Sequence, residues 1–458
     1  MIKHISLALV LFSTYGFAVS MNFSGNFRTE GVSLNNLGQH LGGTKGQNKQ
    51  YFLGRFLLDP NLVIDDHFSI KSQWNLINSK SLTNGAATPL GIANDGWVYG
   101  DVNTSFMTLT KAWLEWTSDF GVVRAGRMPI SWGYGLLWDA GNGIWDRYSD
   151  VRDRLEYRLH LGHVVGAVAY SKFRKESTIE QTSDQDFYTI YLQYDNPEMD
   201  VEGGILYEKQ SRSESQGTTM TTGAGNPFAL PAGAGTPYPL SVKSPYPHSN
   251  NVIDAYLKKT IGSFTLGGEL TWLKGDAYSY VAGGDYQDLD AWGATANITY
   301  QNHKVKIFTE FLYAGGDNDL TDKNLKGFVL LNRNRSPGLL LGKELLGPYS
   351  GNGANQGSLV VYGDQDSFSG VLMLRPGFRI DWSPTLASGL EVIYARKAAV
   401  KDGEEANLGT EIDVGTDYNV YKNFDLGGTV AVLFPGKGIR VANPETIYGF
   451  RTTASLRF

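Results

Sequence analysis

Over residues 445–458 the chain alternates residue by residue, and that period limits what it can fold into. Tyr448, Phe450, Thr452, Ala454, Leu456 and Phe458 share one face, while Gly449, Arg451, Thr453, Ser455 and Arg457 share the other. A period of two belongs to a β-strand whose faces meet different surroundings. In a soluble sheet the apolar face would meet a core. Here the pattern recurs along the whole chain behind an apolar leader, and that combination predicts an all-β transmembrane antiparallel barrel in an outer membrane.

The leader begins with Lys3 and His4, continues with an apolar run over 5–17, and ends in the small residues Ala18, Val19 and Ser20. This is the pattern of a signal peptide over 1–20, with cleavage after Ser20 or, as second choice, Ala18. The run is shorter than the roughly 20 residues of a spanning helix, and Gly, Asn, Asp or Lys interrupts every later apolar stretch. The barrel would then occupy 21–458 as one domain, since no linker or change of period divides it. A mean hydropathy of −0.24 would by itself indicate a soluble protein. Barrels produce such values because lumen-facing residues dilute the lipid-facing ones. The 55 glycines and 12% aromatics suit tight turns, strands and interfacial girdles. Cysteine is absent, which removes disulfides and thiol chemistry, and a net charge of −6 argues against a nucleic-acid partner.

Runs of about ten residues, the length of a tilted crossing strand, number about 18, within a range of 16–20. Tight turns fall at Gly162-His163, Asn196-Pro197-Glu198, Gly262-Ser263 and Lys422-Asn423, among others. An even count puts both termini on the short-turn side, taken as periplasmic, with long loops extracellular. Stretches 328–331 and 358–362 look too short to cross and are expected to form a hairpin within one long outer loop. The faces follow from the alternation. Leu372, Leu374, Phe378, Ile380 and Trp382 outward leave Arg375 and Arg379 inward. Leu408, Ile412, Val414 and Tyr418 outward leave Glu411, Asp413 and Asp417 inward, and Tyr394 outward leaves Glu391 inward. The opposite choice would cost about 2–4 kcal/mol for each Lys or Arg at the bilayer midplane.

Inward positions then sort into a basic set, including Arg28, Arg55, Lys71, Lys111, Arg124, Arg158, Arg375, Arg379 and Arg451, and an acidic set, including Glu208, Glu269, Glu310, Glu391, Glu411, Asp413 and Asp417. Facing walls of opposite sign would set up a transverse field acting on charged or dipolar solutes, while a mesh of rigidifying ion pairs fits equally well. The third long connection is unusually aromatic: Trp132, Tyr134, Trp138, Trp145 and Tyr148 stand among glycines and are followed by Asp146, Arg147, Asp150 and Arg152. Exposed, such a loop would be a costly apolar patch. It is expected to fold inward as a constriction, the alternative being an aromatic clamp on the inner wall or at the membrane interface.

These features resemble those of bacterial outer-membrane porins. The stretch Arg124-Ala125-Gly126-Arg127-Met128-Pro129-Ile130-Ser131-Trp132-Gly133-Tyr134-Gly135 resembles a segment of large substrate-type porins, including the alginate-export family of 18-stranded barrels. That resemblance implies a charged lumen gated by loops, and the terminal Phe458 resembles the signal read by the barrel-assembly machinery, which implies that partner alongside outer-membrane lipid. A homo-oligomer stays open, because no outward face is distinctive enough to require one.

A catalytic alternative finds little support. His40, His67, His160, His163, His248 and His303 are scattered, and no Ser lies at a recognisable nucleophile elbow. No cofactor or metal site is expected; the acidic stretch 317–323 lacks the Gly and distal Glu of a strict calcium loop. No plug domain precedes the first strand, which argues against an energised transporter. Residues 217–247 read as a flexible external loop, and 339–346 fits a short plug helix or a plain loop cap equally. The expectation is therefore a porin passing small hydrophilic or charged solutes by passive diffusion; a sealed structural or adhesin-type barrel is the runner-up.

Overall fold

A computed structural model of the chain describes residues 19–36, 49–77, 108–146, 149–173, 185–212, 249–277, 287–319, 322–328, 338–345, 370–438 and 445–458. Among them run nineteen strands: β1 (Ser20–Asn35), β2 (Lys49–Val63), β3 (Phe68–Ile77), β4 (Thr108–Ser118), β5 (Gly121–Pro129), β6 (Val151–Leu161), β7 (Val164–Phe173), β8 (Gln185–Asn196), β9 (Val201–Arg212), β10 (Ser249–Ile261), β11 (Phe264–Ala277), β12 (Gln287–Gln301), β13 (Val305–Ala314), β14 (Asn324–Leu325), β15 (Val371–Ser383), β16 (Leu386–Arg396), β17 (Asn407–Tyr421), β18 (Phe424–Pro435) and β19 (Ile447–Arg457). The two-residue β14 only adds to the end of β12. Removing it from the nineteen leaves eighteen crossing strands, each antiparallel to its neighbours in chain order.

β19 returns to β1 in the register Phe27↔Leu456 and Arg28↔Ser455, so the sheet closes and no edge remains to pair with another chain. Eight connections of two to four residues gather at one end, and nine of nine or more residues at the other. Both terminal strands start or finish at the tight-turn end, as an even count requires.

Alternation supplies two different surfaces. Outward, aromatic side chains form two belts: Phe68, Trp116, Tyr157, Tyr194, Phe264, Trp382 and Tyr418 at the turn end, and Tyr170, Tyr188, Tyr207, Trp272, Trp292, Tyr394 and Tyr448 at the loop end. Exposed aliphatic residues such as Leu192, Ile205, Leu270 and Ile298 fill the band between them. From Phe264 to Trp272 is about 27 Å of strand, or about 20 Å of height at a tilt of about 40°, close to the apolar band of outer-membrane barrels. Inward, Leu34, Val371, Met373, Ile393, Leu433 and Ile447 form a packed apolar core towards the loop end.

One face differs from the alternation. Leu408 is not lipid-facing but fully buried. The pairing skips from Ala395↔Gly409 to Arg396↔Asn407, leaving Leu408 as the extra residue of a bulge. Gly409 takes a φ of 131°, which L side chains rarely adopt. A single inserted residue reverses the parity, and Leu408 turns into the core.

Candidate functional site

The connection between β5 and β6 (residues 130–150) folds into the barrel over its described residues 130–146 and 149–150, burying Trp132, Leu136, Leu137 and Trp138. The walls hold it according to charge. Basic side chains of β1, β2 and β4 bind its carbonyls: Arg28 donates to Ile144, Arg55 Nη1 to Asp146 at 2.7 Å, and Lys111 Nζ to Ala140 at 2.9 Å. Acidic side chains of β10 and β11 bind its N–H groups: Glu269 accepts from the Tyr134 amide at 2.5 Å and the Leu136 amide at 3.3 Å, and Asp254 from the Trp132 indole at 2.7 Å. A peptide laid between a basic and an acidic wall satisfies its acceptors on one side and its donors on the other. The same bonds offset the desolvation of the buried charges.

Packing fixes the loop further. The Trp132 ring stands edge-on to Tyr256 at 5.2 Å and tilted against Tyr191 at 5.4 Å. Two wall glycines make room: a Cβ on Gly204 would lie 2.8 Å from the Trp132 ring, and one on Gly267 would lie 1.7 Å from the Tyr134 hydroxyl. Asp139 and Asp150 tie the two arms together, each receiving the other's amide at 2.7–2.8 Å. At the base of the loop, Arg152 pairs with Glu208 at 2.8 Å and lies 3.8 Å over the Phe187 ring.

A second element enters from the β13–β15 connection. It is the π-helical segment Gly338–Leu345, with Leu339, Leu340 and Leu341 buried. Its first amides have no intrahelical acceptor. Asp413 takes that of Leu339 at 3.0 Å, and Glu411 takes those of Leu340 and Leu341 at 2.8 and 2.6 Å.

What stays open is the loop edge at 142–146, where Asn142 and Gly143 are exposed and Trp145 and Asp146 half-buried. Two clusters of charge line the wall, one buried around Arg154 and Glu156 and reaching water at Lys71 and Arg158, the other more exposed. On β3–β6, Lys71 and Arg124 pair with Glu115, and Arg124, Arg154 and Arg158 converge on Glu156 at 2.5–3.1 Å. Four cations against two carboxylates leave +2. On β13–β17, Arg375 pairs with Glu310 and Glu391, and Arg379 with Asp381 and Asp417. Two cations against four carboxylates leave −2. With β14 excluded, nine of the eighteen strand steps separate β5 from β15, so the clusters occupy opposite walls.

No protein-family model matches this chain, and neither does any curated protein. Solved structures do. The chain aligns over 95% of its length with 99% of OccK9 (OpdG) of Pseudomonas aeruginosa, at 11% identity and a TM-score of 0.52. It aligns over 95% with 98% of a BenF-like porin of Pseudomonas fluorescens, at 12% identity and a TM-score of 0.51, and over 95% with 98% of OccK2 (OpdF) of Pseudomonas aeruginosa, at 11% and 0.51. The barrel has the porin fold.

Within that porin fold, the residues expected from sequence divide by what they touch. Trp132, Tyr134 and Trp138 pack against the wall, Asp150 closes the loop on itself, and Arg152 is built into the wall. Trp145 and Asp146 lie on the open edge, whereas Arg147 and Tyr148 lie outside the described residues. Arg28, Arg55, Lys111, Glu411 and Asp413 are buried against the two inward elements. Arg124, Arg158, Arg375, Arg379, Glu391 and Asp417 belong to the wall clusters, and Arg451 reaches the Thr429 hydroxyl at 3.4 Å. The acidic turn at 317 is occupied by backbone, the Asp317 carboxylate accepting from Asp319 and Lys326 at 3.0 and 2.9 Å.

Sequence reasoning missed Asp254. Its signal was present: an acid between Val252 and Tyr256 on an inward face is expensive unless a donor reaches it.

Proposed function

We propose that this barrel is a porin of the outer membrane of a Gram-negative bacterium, passing small hydrophilic or charged solutes by passive diffusion through a lumen that the 130–150 loop narrows. The supporting observation is that inward charges of the β13–β17 cluster stay wet: the Arg379 and Asp417 side chains are 42% and 57% exposed behind a lipid-facing band. Water therefore runs along the wall while the loop is pinned from two sides. Trp145 and Asp146, on the open edge of that loop, set the narrow passage. The opposed +2 and −2 walls act across it, a field that aligns dipolar and zwitterionic solutes.

Residues 1–20 serve as the signal peptide, and Phe458 as the cue for the barrel-assembly machinery. The finer kinship with alginate-export barrels rests on the Arg124–Gly135 stretch alone.

Planar-bilayer recording at two salt concentrations tests the channel. Stable conductance steps are expected, enlarged when 132–145 is shortened. A folded, heat-modifiable barrel that passes no current would overturn this function. It would favour a sealed adhesin-type barrel, the reading to which the buried Leu339, Leu340 and Leu341 lend support.

A further inference from the structure

The two elements folded into the lumen are fastened by the same device. Each carries a glycine of left-handed φ, 53° at Gly133 and 79° at Gly338. The amides that follow it point at a wall glutamate, Glu269 in one case and Glu411 in the other. Turns of this form make concavities for anions. The approach is close as well: a Cβ on Gly133 would lie 2.8 Å from the Glu269 carboxyl group, and one on Gly338 2.6 Å from that of Glu411.

Each glutamate has an acid beside it. Asp254 lies diagonally across the β10–β11 pair from Glu269, since Asp254 is opposite Thr271 and Tyr256 opposite Glu269. The carboxyl groups of Asp254 and Glu269 are hydrogen-bonded to each other. Asp413 follows Glu411 on the same strand face, and these two carboxyl groups are hydrogen-bonded as well. All four side chains are buried. An ionised carboxylate only accepts, so a bond between two carboxyl groups requires a proton on one of them. The other contacts of Asp254 are the Trp132 indole and the Thr271 hydroxyl, and those of Glu411 are the Leu340 and Leu341 amides; none is a cation.

The charged and titratable groups around the pairs are engaged elsewhere. Beside the first, Glu208 on β9 is bound to Arg152, Tyr256 on β10 to Gln193, and Arg158 lies over Tyr191; Thr295 of β12 faces Glu269, and the loop contributes Tyr134. Beside the second, Glu391 on β16 stands opposite Asp413 and is bound to Arg375, and Lys397 pairs with Glu404. Ala431 and Leu433 of β18 carry no charge. The inserted segment itself contains Lys343 and Glu344.

We propose that each acid pair is a proton-loaded latch: one shared proton holds a lumen element to the wall, and its loss to lumen water releases that element. Glu269 and Glu411, which collect backbone N–H groups, are the better seats for the remaining charge, so Asp254 and Asp413 carry the proton. Released into water, all four acids are ionised above about pH 5. The held state therefore binds one more proton per latch than the released state. The released fraction grows as pH rises, by up to about tenfold per unit for each latch. This role rests on the 130–150 loop being the constriction.

The test joins planar-bilayer recording from about pH 6 to about pH 9 with infrared spectroscopy of the same full-length refolded protein. Time spent in enlarged-conductance states should rise more than tenfold over that range. Asp254→Asn/Asp413→Asn puts a permanent N–H donor where each proton was; it should stay held at every pH and lose at least four-fifths of the response. Lys343→Gln/Glu344→Gln should keep it. At neutral pH the parent should show the C=O band of protonated carboxyl groups, and the double Asn variant should lack it. An equal pH response in parent and double Asn variant would overturn the latch and move the titration to another group, such as Lys111, which holds Ala140. Absence of the band from the parent would overturn it too. A band lost in the variant supports the shared protons even in a barrel that passes no current, so latch and channel fail separately.

Discussion

Glu269 on β11 and Glu411 on β17 perform the same operation on separate walls: each carboxylate accepts backbone amides from an element folded into the lumen. Charge-assisted bonds of this kind contribute about 1.5–3 kcal/mol each, against about 0.5–1.5 for neutral ones. Glu269→Gln keeps the volume and removes the charge, so it should loosen the 130–150 loop by about 1–2 kcal/mol without unfolding the barrel. Single-channel records would then show larger steps and frequent substates. Glu411→Gln should do the same through 338–345, and the two effects should add, because the carboxylates share no partner. Traces indistinguishable from the parent in both variants would mean that neither element is held by its wall acid.

The loop can also be displaced without altering it. Gly267→Ala places a methyl where the Tyr134 ring and hydroxyl now lie, and the hydroxyl is only 1.7 Å from that Cβ position. The strand, bonded on both sides, is the stiffer partner, so the loop moves. Raised conductance and faster proteolysis within 130–150 are expected. Tyr134→Ala in the same chain should restore much of the parental behaviour, a coupling that a double-mutant cycle reads directly. Failure of that rescue would place the damage in the strand instead.

These relationships differ in how far the sequence revealed them. The strand faces were legible because a period of two leaves only two choices, and Arg375 and Arg379 could not both face lipid. Leu408 was not legible, since one inserted residue reverses parity and Gly409 looks like any other glycine until its φ is known. That Glu269 and Glu411 lie on inward faces could be read from alternation; what they bind could not. Their partners lie 133 and 70 residues away in the chain, at Leu136 and Leu341. The aromatic loop announced that it must be buried. Whether Trp132 would stack on solute or anchor to wall depended on Asp254 and Tyr256, which only the closed barrel brings to it.

Opposed walls of net +2 and −2 make the ion preference separable by site. A unit charge about 7 Å from a permeating ion in water changes its energy by about 0.6 kcal/mol, near threefold in local concentration. Arg158→Gln should therefore move the reversal potential in a salt gradient towards cation preference, and Asp417→Asn towards anion preference. Both shifts should fade as salt approaches about 1 M, where the screening length falls to about 3 Å. Shifts of the same sign in both variants would exclude a transverse field.

At the seam, Phe458 extends the ladder: its amide and carbonyl pair with those of Gly25 at 3.2 and 3.0 Å, and its ring stands edge-on to Phe56, 6.0 Å away. A Cβ at Gly25 would stand 2.7 Å from that ring. Packing and recognition by an assembly partner make different demands on this side chain. The ring is half exposed on the lipid side, so Phe458→Ala removes only about 1 kcal/mol of packing, and refolding into vesicles should stay close to parental yield. In cells the same variant should accumulate manyfold less folded barrel if the side chain is read during assembly. Gly25→Ala distorts the closing pair itself and should lower the yield in vesicles and in cells alike. A Phe458→Ala loss of equal size in both settings would reduce the residue to seam packing.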